Sequence, residues 1–383
     1  MQPPDHHSGP EGVEPQTRRG AIARRLLSRR QFRESVALAR QPSLMVSFLA
    51  GLQAALAAVV ALPLTHLSPW PHLIGFAALG ALAALFGRFA PPARRGRIVL
   101  LSGVCLTAAV LGMSLAGWLG APPPLQIALL ALACGVFFLV SVRGQFGPPG
   151  GLIFIFAASA AMSPPAPLGD VAQRACATAV AALLAWAVCL ATEPLRQRAA
   201  AALALPQESP RPLRDQLIAA LRMTLASGIV AFGAWVAGAP HPGWAAMGAV
   251  AVLQGAHLHI NMNRALQRTA GTIVGAALVW LILAQAPSAW TVIGLLLVLT
   301  VATEVVIGTN YGLGQILVTP MALLMTYLAA PERAGPDMAP ERALDTLAGA
   351  AVGMLFAVIF STLDDRRHLA RHHASGDGAP GAR

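Results

Sequence analysis

The stretch Arg264-x3-Arg268-x2-Gly271-Thr272-x2-Gly275 carries the sharpest chemical signal in this 383-residue chain. Spacings of four, three and four bring Arg264, Arg268, Gly271 and Gly275 onto one face of a helix. A guanidinium pairs with a carboxylate through two parallel hydrogen bonds, so two arginines on such a face can attract an organic anion. The same pair can instead anchor topology and touch lipid phosphates. Gly271, Thr272 and Gly275 leave room for a second helix, the small-xxx-small contact of membrane bundles.

A second group follows at Gly308-Thr309-Asn310-Tyr311-Gly312, with Pro320 further on, and it matches Gly147-Pro148-Pro149-Gly150-Gly151 and Pro164-Pro165 earlier in the chain. Interrupted helices at corresponding places in two halves point to a transport site, because their free N–H groups carry partial positive charge. Asn310, Tyr311, Gln315 and Thr319 would add donors and one aromatic ring to the path of an anion; alternatively the Gln and Thr bond only to helix backbone. Aligning Gly308 with Gly147 sets Glu304 in the place of Arg143. Opposite charges at equivalent positions would pair between the halves, making Glu304 a candidate proton-coupling carboxylate. The plainer reading is a Glu that reaches water at the interface. Asp345 is the second candidate, three residues after Arg342 and able to pair with it on one face. Arg174 and Arg342 stand at equivalent positions away from the other arginines, where they form either an exit-side anion ring or loop caps.

The element that must position all of these is a bundle of membrane helices. The chain is 56% hydrophobic and 11% charged, with mean hydropathy +0.63, where a soluble domain carries roughly a quarter charged residues. Apolar runs fall near 46–66, 70–88, 98–120, 125–142, 150–166, 170–191, 219–238, 242–259, 268–285, 289–307, 311–330 and 343–362. A helical span takes about 20 residues, so the expected fold class is all-α, a polytopic integral membrane protein of about 12 transmembrane helices. Runs five and eight are short.

Charge sets the topology. Net charge is +11, and all 27 basic residues are arginine. With both termini cytoplasmic, 24 of the 27 arginines fall on the inner side, leaving only Arg174, Arg333 and Arg342 outside it. The loops HLSPWPH, GAPPP, GAPHPG and QAPSA have none, as the positive-inside rule requires. The expected topology is therefore multi-pass with both termini cytoplasmic. No basic face with interleaved aromatics exists, which argues against nucleic acid. The expected partners are the lipid bilayer and a small organic anion. Cys105, Cys134, Cys176 and Cys189 lie in apolar runs, without CxxC or Cys/His spacing, so neither disulfide nor zinc is expected. His257 and His259 alternate, a spacing that does not converge two rings on one metal. HExxH, GxSxG and Walker loops are absent. No enzyme activity, cofactor or metal is expected.

The chain also reads as duplicated. Trp70-Pro71 opens one span as Gly243-Trp244 opens another, and DVAQRACATAVAALLAWAV aligns with MAPERALDTLAGAAVGMLF, pairing Arg174 with Arg342 and Thr178 with Thr346. Six spans per half make a parallel repeat. The organisation is a basic, partly disordered N-tail over 1–45 and a first six-helix repeat over 46–191. A cytoplasmic linker with a short surface helix occupies 192–216, a second repeat 217–362, and a disordered tail 363–383. Residues 21–41 are expected to form a basic amphipathic helix on the inner membrane surface.

The pattern Arg264-x3-Arg268-x2-Gly271-Thr272-x2-Gly275, with the later Arg342-Ala-Leu-Asp345-Thr346-Leu-Ala-Gly349, resembles the fusaric acid resistance (FUSC) or aromatic acid exporter family. The resemblance covers most of 46–362 in topology, but its sharp motifs lie in the second half. In the first half GRIVLLSGV lacks the Gly-Thr pair, and Cys176 and Ala177 replace Leu344 and Asp345. Larger members carry a soluble domain between the halves that this chain does not have. The resemblance implies an exporter of aromatic carboxylates in a bacterial-type inner membrane; the candidate carboxylates Glu304 and Asp345 would couple it to the proton gradient. The alternative it implies is an organic-anion channel related to the aluminium-activated malate transporters of plants. ALFGRFAPPARRGR is also similar to the Gly-x3-Asp-Arg-x-Gly-Arg-Arg loop of major-facilitator carriers, without its Asp.

Overall fold

The computed structural model describes residues 19–162, 164–200, 212–255, 257–329 and 335–361, together with 365, 366, 368, 369 and 372. The first 18 residues, linker positions 201–211, Arg333 and most of the expected C-terminal tail lie outside the described residues. Two short helices, α1 (Arg19–Leu26) and α2 (Arg29–Val36), precede the bundle. The first half then runs through α3 (Leu44–Leu67), α4 (Ile74–Ala81), α5 (Pro92–Trp118), α6 (Pro123–Arg143), α7 (Leu152–Ala160) and α8 (Leu168–Ala191). After the short α9 (Glu193–Ala200) come α10 (Leu213–Val236), α11 (Gly243–Leu253), α12 (Leu258–Leu283), α13 (Ala289–Val306), α14 (Tyr311–Ala329) and α15 (Met338–Ile359).

Proline starts many of these helices. Pro91, Pro122, Pro167 and Pro212 stand at the N-caps of α5, α6, α8 and α10. There the missing N–H costs nothing, and the fixed φ suits the entry to a helix.

All twelve apolar runs are helical, but they are not all long. Among the described residues, nine helices are long and apolar enough to cross a membrane. Runs two, five and eight fall short of the expected full spans, as α4 with its flanking 3-10 turns, α7 and α11. Backbone punctuation explains the lengths. Gly87 turns with φ +66° after α4, and Gly147 and Gly150 turn with φ +70° and +68° before α7. These are left-handed conformations that glycine adopts without strain.

The short helices are also the inner ones. Every residue of α11 is buried, and so is every residue of α4 except Phe76. A helix apolar all round belongs inside a bundle. The long helices show two faces instead. On α10, Leu217, Leu221, Leu225 and Phe232 are exposed, while Met223, Ala226 and Val230 are buried. The exposed leucines are the face a bilayer solvates.

Packing partners recur between the halves. Helix α5 lies on α8 as α12 lies on α15, α4 on α8 as α11 on α15, and α5 on α7 as α12 on α14. Across the halves, α3 meets α13 as α6 meets α10, and α4 meets α14 as α7 meets α11. One constant displacement along the chain relates the details. Gly80 packs against Thr178, Ala181 and Ala182, and Gly248 against Thr346, Gly349 and Ala350. The Arg174 guanidinium lies 5.5 Å from the Phe76 ring centroid, and that of Arg342 lies 5.3 Å from that of Trp244. Phe76, and not Trp70, is thus the counterpart of Trp244. Trp70 stays half exposed at the start of its segment, because the register is set by the glycine contacts with α8.

The start of the linker is tied into the bundle. Arg95 Nη1 donates to Glu193 at 2.9 Å, Arg196 Nη2 donates to Glu193 at 2.5 Å, and Arg196 Nη1 donates to the Arg88 carbonyl at 3.1 Å. Gln53 joins through Arg95. Burial pushes the Glu193 carboxyl upward, but Arg196 and Arg95 outweigh it and hold the group below the usual range.

Candidate anion-binding site

The glycine seam sets the site. Gly271 faces the Gly312 carbonyl and Gln315 on α14, and Gly275 faces Ile316, Thr319 and Pro320. A side chain at either glycine would push α14 away, so small residues hold the two helices at backbone distance. Thr272 is buried beside them. This close approach brings Arg268 of α12 against the first turns of α14. Arg268 is buried, and its Nη1 donates to Tyr311 Oη at 3.0 Å and to Gln315 Oε1 at 3.2 Å. One turn earlier, Arg264 sits 5.3 Å from the Tyr311 ring centroid and donates to the Ala251 carbonyl at 3.2 Å. Tyr311 is therefore held by one arginine at its ring face and another at its hydroxyl.

These residues wall a cavity of about 1770 Å³ whose lining also takes in Gln41 and Pro42, between α2 and α3. Tyr311, Gln315, Val318, Ala322 and Met325 line it from one side of α14, along about 21 Å of helix axis. Eight arginines and one glutamate are in its wall among the described residues. Arg94, Arg97 and Arg143 are exposed and Arg88 and Arg196 buried; Arg264, Arg268 and Arg342 come from the second half. Between them lie apolar side chains, including Phe138, Phe156, Leu152, Met247, Met321 and Met325.

Arg342 is buried over the Trp244 indole, and its Nε and Nη1 have no hydrogen-bond partner among the described residues. The Nε of Arg268 is likewise unmatched. Buried guanidinium donors left open in this way favour an anionic acceptor.

Not every residue expected in the site lines it. Asn310 caps α14 instead, accepting from the Gly312 and Leu313 N–H groups at 2.8 and 3.2 Å and donating to the Ser35 and Ala37 carbonyls. Thr319 donates to the Gln315 carbonyl at 2.9 Å and packs at the Gly275 contact. Both donors are used by backbone, as Asn at a cap and Thr in a helix commonly are. Arg174 sits over Phe76, outside this cavity, so it does not join Arg342 in a ring.

Glu304 differs most from expectation. It is buried in the cavity wall, with Oε2 2.7 Å from Arg88 Nη1. Arg143, the expected partner, is exposed at the rim, because the loop that leaves α6 turns away before α7 begins. Asp345 is buried on α15 outside the cavity lining and makes no ion pair with Arg342. Arg88 is the site residue that sequence reasoning missed. It reads as one arginine among four in a basic loop, and nothing local marks its contact with α13.

His257 and His259 stack with His368 and His372, with ring centroids 3.9 Å apart for His257 and His368 and 4.2 Å for His259 and His372. Stacked rings point their nitrogens outward in parallel planes. No group of three or more metal-ligating side chains converges among the described residues.

No curated protein and no solved structure matches the chain. Residues 227–356 match the family model described as fusaric acid resistance protein-like. That segment holds Arg264, Arg268, Glu304, Tyr311, Gln315 and Arg342. In this polytopic helical membrane protein, the stretch from α10 to α15 is thus similar to the fusaric acid resistance protein-like family over residues 227–356.

Proposed function

We propose that this protein is an inner-membrane exporter of organic anions, with aromatic carboxylic acids as its substrate class. The observation that carries the reading is the buried, partly unmatched pair Arg268 and Arg342 in a cavity whose wall holds six further arginines, one glutamate and a set of apolar side chains. A guanidinium fork suits a carboxylate, and Phe138, Phe156 and the methionines suit a ring. Both termini lie in the cytoplasm, and the arginine-rich mouth collects the anion there.

Movement follows alternating access of two six-helix repeats, for which the recurring packing partners are the support. Glu304 is the coupling carboxylate. When protonated it releases Arg88, loosening a contact between the first half and α13; when ionised it restores that contact. Asp345 is the second candidate for that role.

The test is uptake of labelled benzoate into proteoliposomes holding the purified chain, with and without an imposed pH gradient. Accumulation against the benzoate gradient that collapses with an uncoupler supports the exporter. Downhill flux indifferent to pH supports an organic-anion channel, a reading favoured by the depth of the vestibule. No flux of aromatic or aliphatic acids would overturn both.

A further inference from the structure

Helix α2 is amphipathic in an inverted sense. Its polar residues face the protein: Gln31 Nε2 donates to the His259 carbonyl at 3.1 Å and to Asn263 Oδ1 at 2.7 Å. The Ser35 carbonyl accepts from Gln267 Nε2 at 2.6 Å and from Asn310 Nδ2 at 3.1 Å. Its apolar residues face away, with Phe32 59% and Val36 60% exposed. Leu27 and Leu38, just before and after the helix, are exposed as well. Arg29 and Arg33 are exposed among them.

Outward apolar side chains alternating with arginines are costly in water and match one environment well. A leaflet with anionic headgroups takes the apolar groups into its acyl boundary and the guanidinium groups at its phosphates. The apolar band is continuous with the bundle, because α3 begins six residues after Leu38 with exposed Leu44 and Met45. No bilayer-facing helix lies between them in sequence.

We infer that α2 and its flanks form a docking surface for anionic phospholipid headgroups, seated at the edge of the bilayer beside the mouth of the vestibule. The bound leaflet holds α2 from outside while Gln31 and Ser35 hold it from inside. Lipid charge is thereby transmitted to α12, which carries Arg264 and Arg268, and to Asn310, which caps α14. The inference is independent of what the vestibule transports.

The experiment uses the full chain in nanodiscs of phosphatidylcholine alone and of phosphatidylcholine with phosphatidylglycerol. Amide hydrogen exchange over Arg29–Val36 is the readout. Exchange is expected to slow about tenfold with phosphatidylglycerol. The double variant Arg29→Gln/Arg33→Gln should lose the difference, while Arg29→Lys/Arg33→Lys, which keeps the charge, should retain it. Equal exchange of the native chain in both lipids overturns the inference and leaves this face to a protein partner. Persistence of the difference in the Gln variant overturns it also. Neither result bears on benzoate uptake, so this proposal and the transport reading fail separately.

Discussion

Arg88 Nη1 lies 2.7 Å from Glu304 Oε2, and the two buried side chains join the loop after α4 to α13 in the wall of the vestibule. Removing one member of such a pair leaves the other charge buried without compensation, whereas replacing both by apolar groups costs little. Glu304→Gln is therefore expected to lower stability by about 3 kcal/mol. The double variant Arg88→Met/Glu304→Leu should recover most of that loss. Thermal unfolding of the purified variants in detergent measures both. A double variant no more stable than Glu304→Gln would show that the pair is not a unit.

The same carboxylate should decide coupling. In proteoliposomes, Glu304→Gln is expected to transport benzoate downhill while ignoring the pH gradient. Asp345→Asn should keep its gradient dependence, because Asp345 lies outside the cavity lining. The reverse pattern would move the coupling role to Asp345.

Arg268→Gln removes two hydrogen bonds and a buried charge from the wall. A charge-assisted bond to an anion contributes about 1.5–3 kcal/mol, so benzoate affinity should fall roughly ten- to a hundredfold. Arg342→Gln should act similarly. Asn310→Ala serves as contrast: it strips the α14 cap and is expected to cost about 1 kcal/mol of stability with benzoate affinity unchanged. Equal affinity loss in all three variants would mean that α14 moved and that no residue acted on the anion.

Gly271→Leu forces a side chain into the Gly312 carbonyl and Gln315, so α12 and α14 must separate. Overpacking of this kind costs about 1–3 kcal/mol. Gly112→Leu, at a position with open space around it, should be close to neutral. Thermal unfolding of the two variants side by side separates a packing requirement from a general intolerance of leucine.

Glu193 gives a pH dependence of known sign. Its folded carboxyl titrates below the ordinary value of 4.5, because Arg196 and Arg95 outweigh the upward push of burial. A depressed carboxylate contributes stability above its unfolded pKa and loses it as pH falls through the folded one. Stability should thus hold from neutral pH to about 5 and decline below 4.5. Glu193→Gln should start less stable and show a shallower decline, which thermal unfolding across that range will reveal.

What could be read before the fold was known follows a physical divide. Arg264, Arg268, Gly271 and Gly275 are legible because helical spacing alone puts them on one face, and Tyr311 and Gln315 because they follow a glycine-flanked break in an apolar run. Arg88 is not, since its partner lies far along the chain and both sit in ordinary local patterns. Asn310 and Thr319 looked like ligands because their donors count toward an anion; nearby backbone groups consume those donors first. The matching of Trp70 with Trp244 followed residue identity, while the true register, Phe76 with Trp244, is set by which residues flank Gly80 and Gly248. Three spans proved short for a related reason: apolarity reports burial, and a helix wrapped by neighbours is as apolar as one wrapped by lipid.

The two halves also differ in what they offer the vestibule beyond its rim. The first contributes Leu152, Phe138 and Phe156, and the second contributes Met247, Met321 and Met325 together with Arg268, Arg342, Tyr311 and Gln315. A molecule with one ionised end and one greasy flank would turn its head toward the second half, while its flank would find apolar side chains on both. Walls unlike in charge would thus turn such a molecule as a field turns a compass needle, and a symmetric dianion would find only one pole.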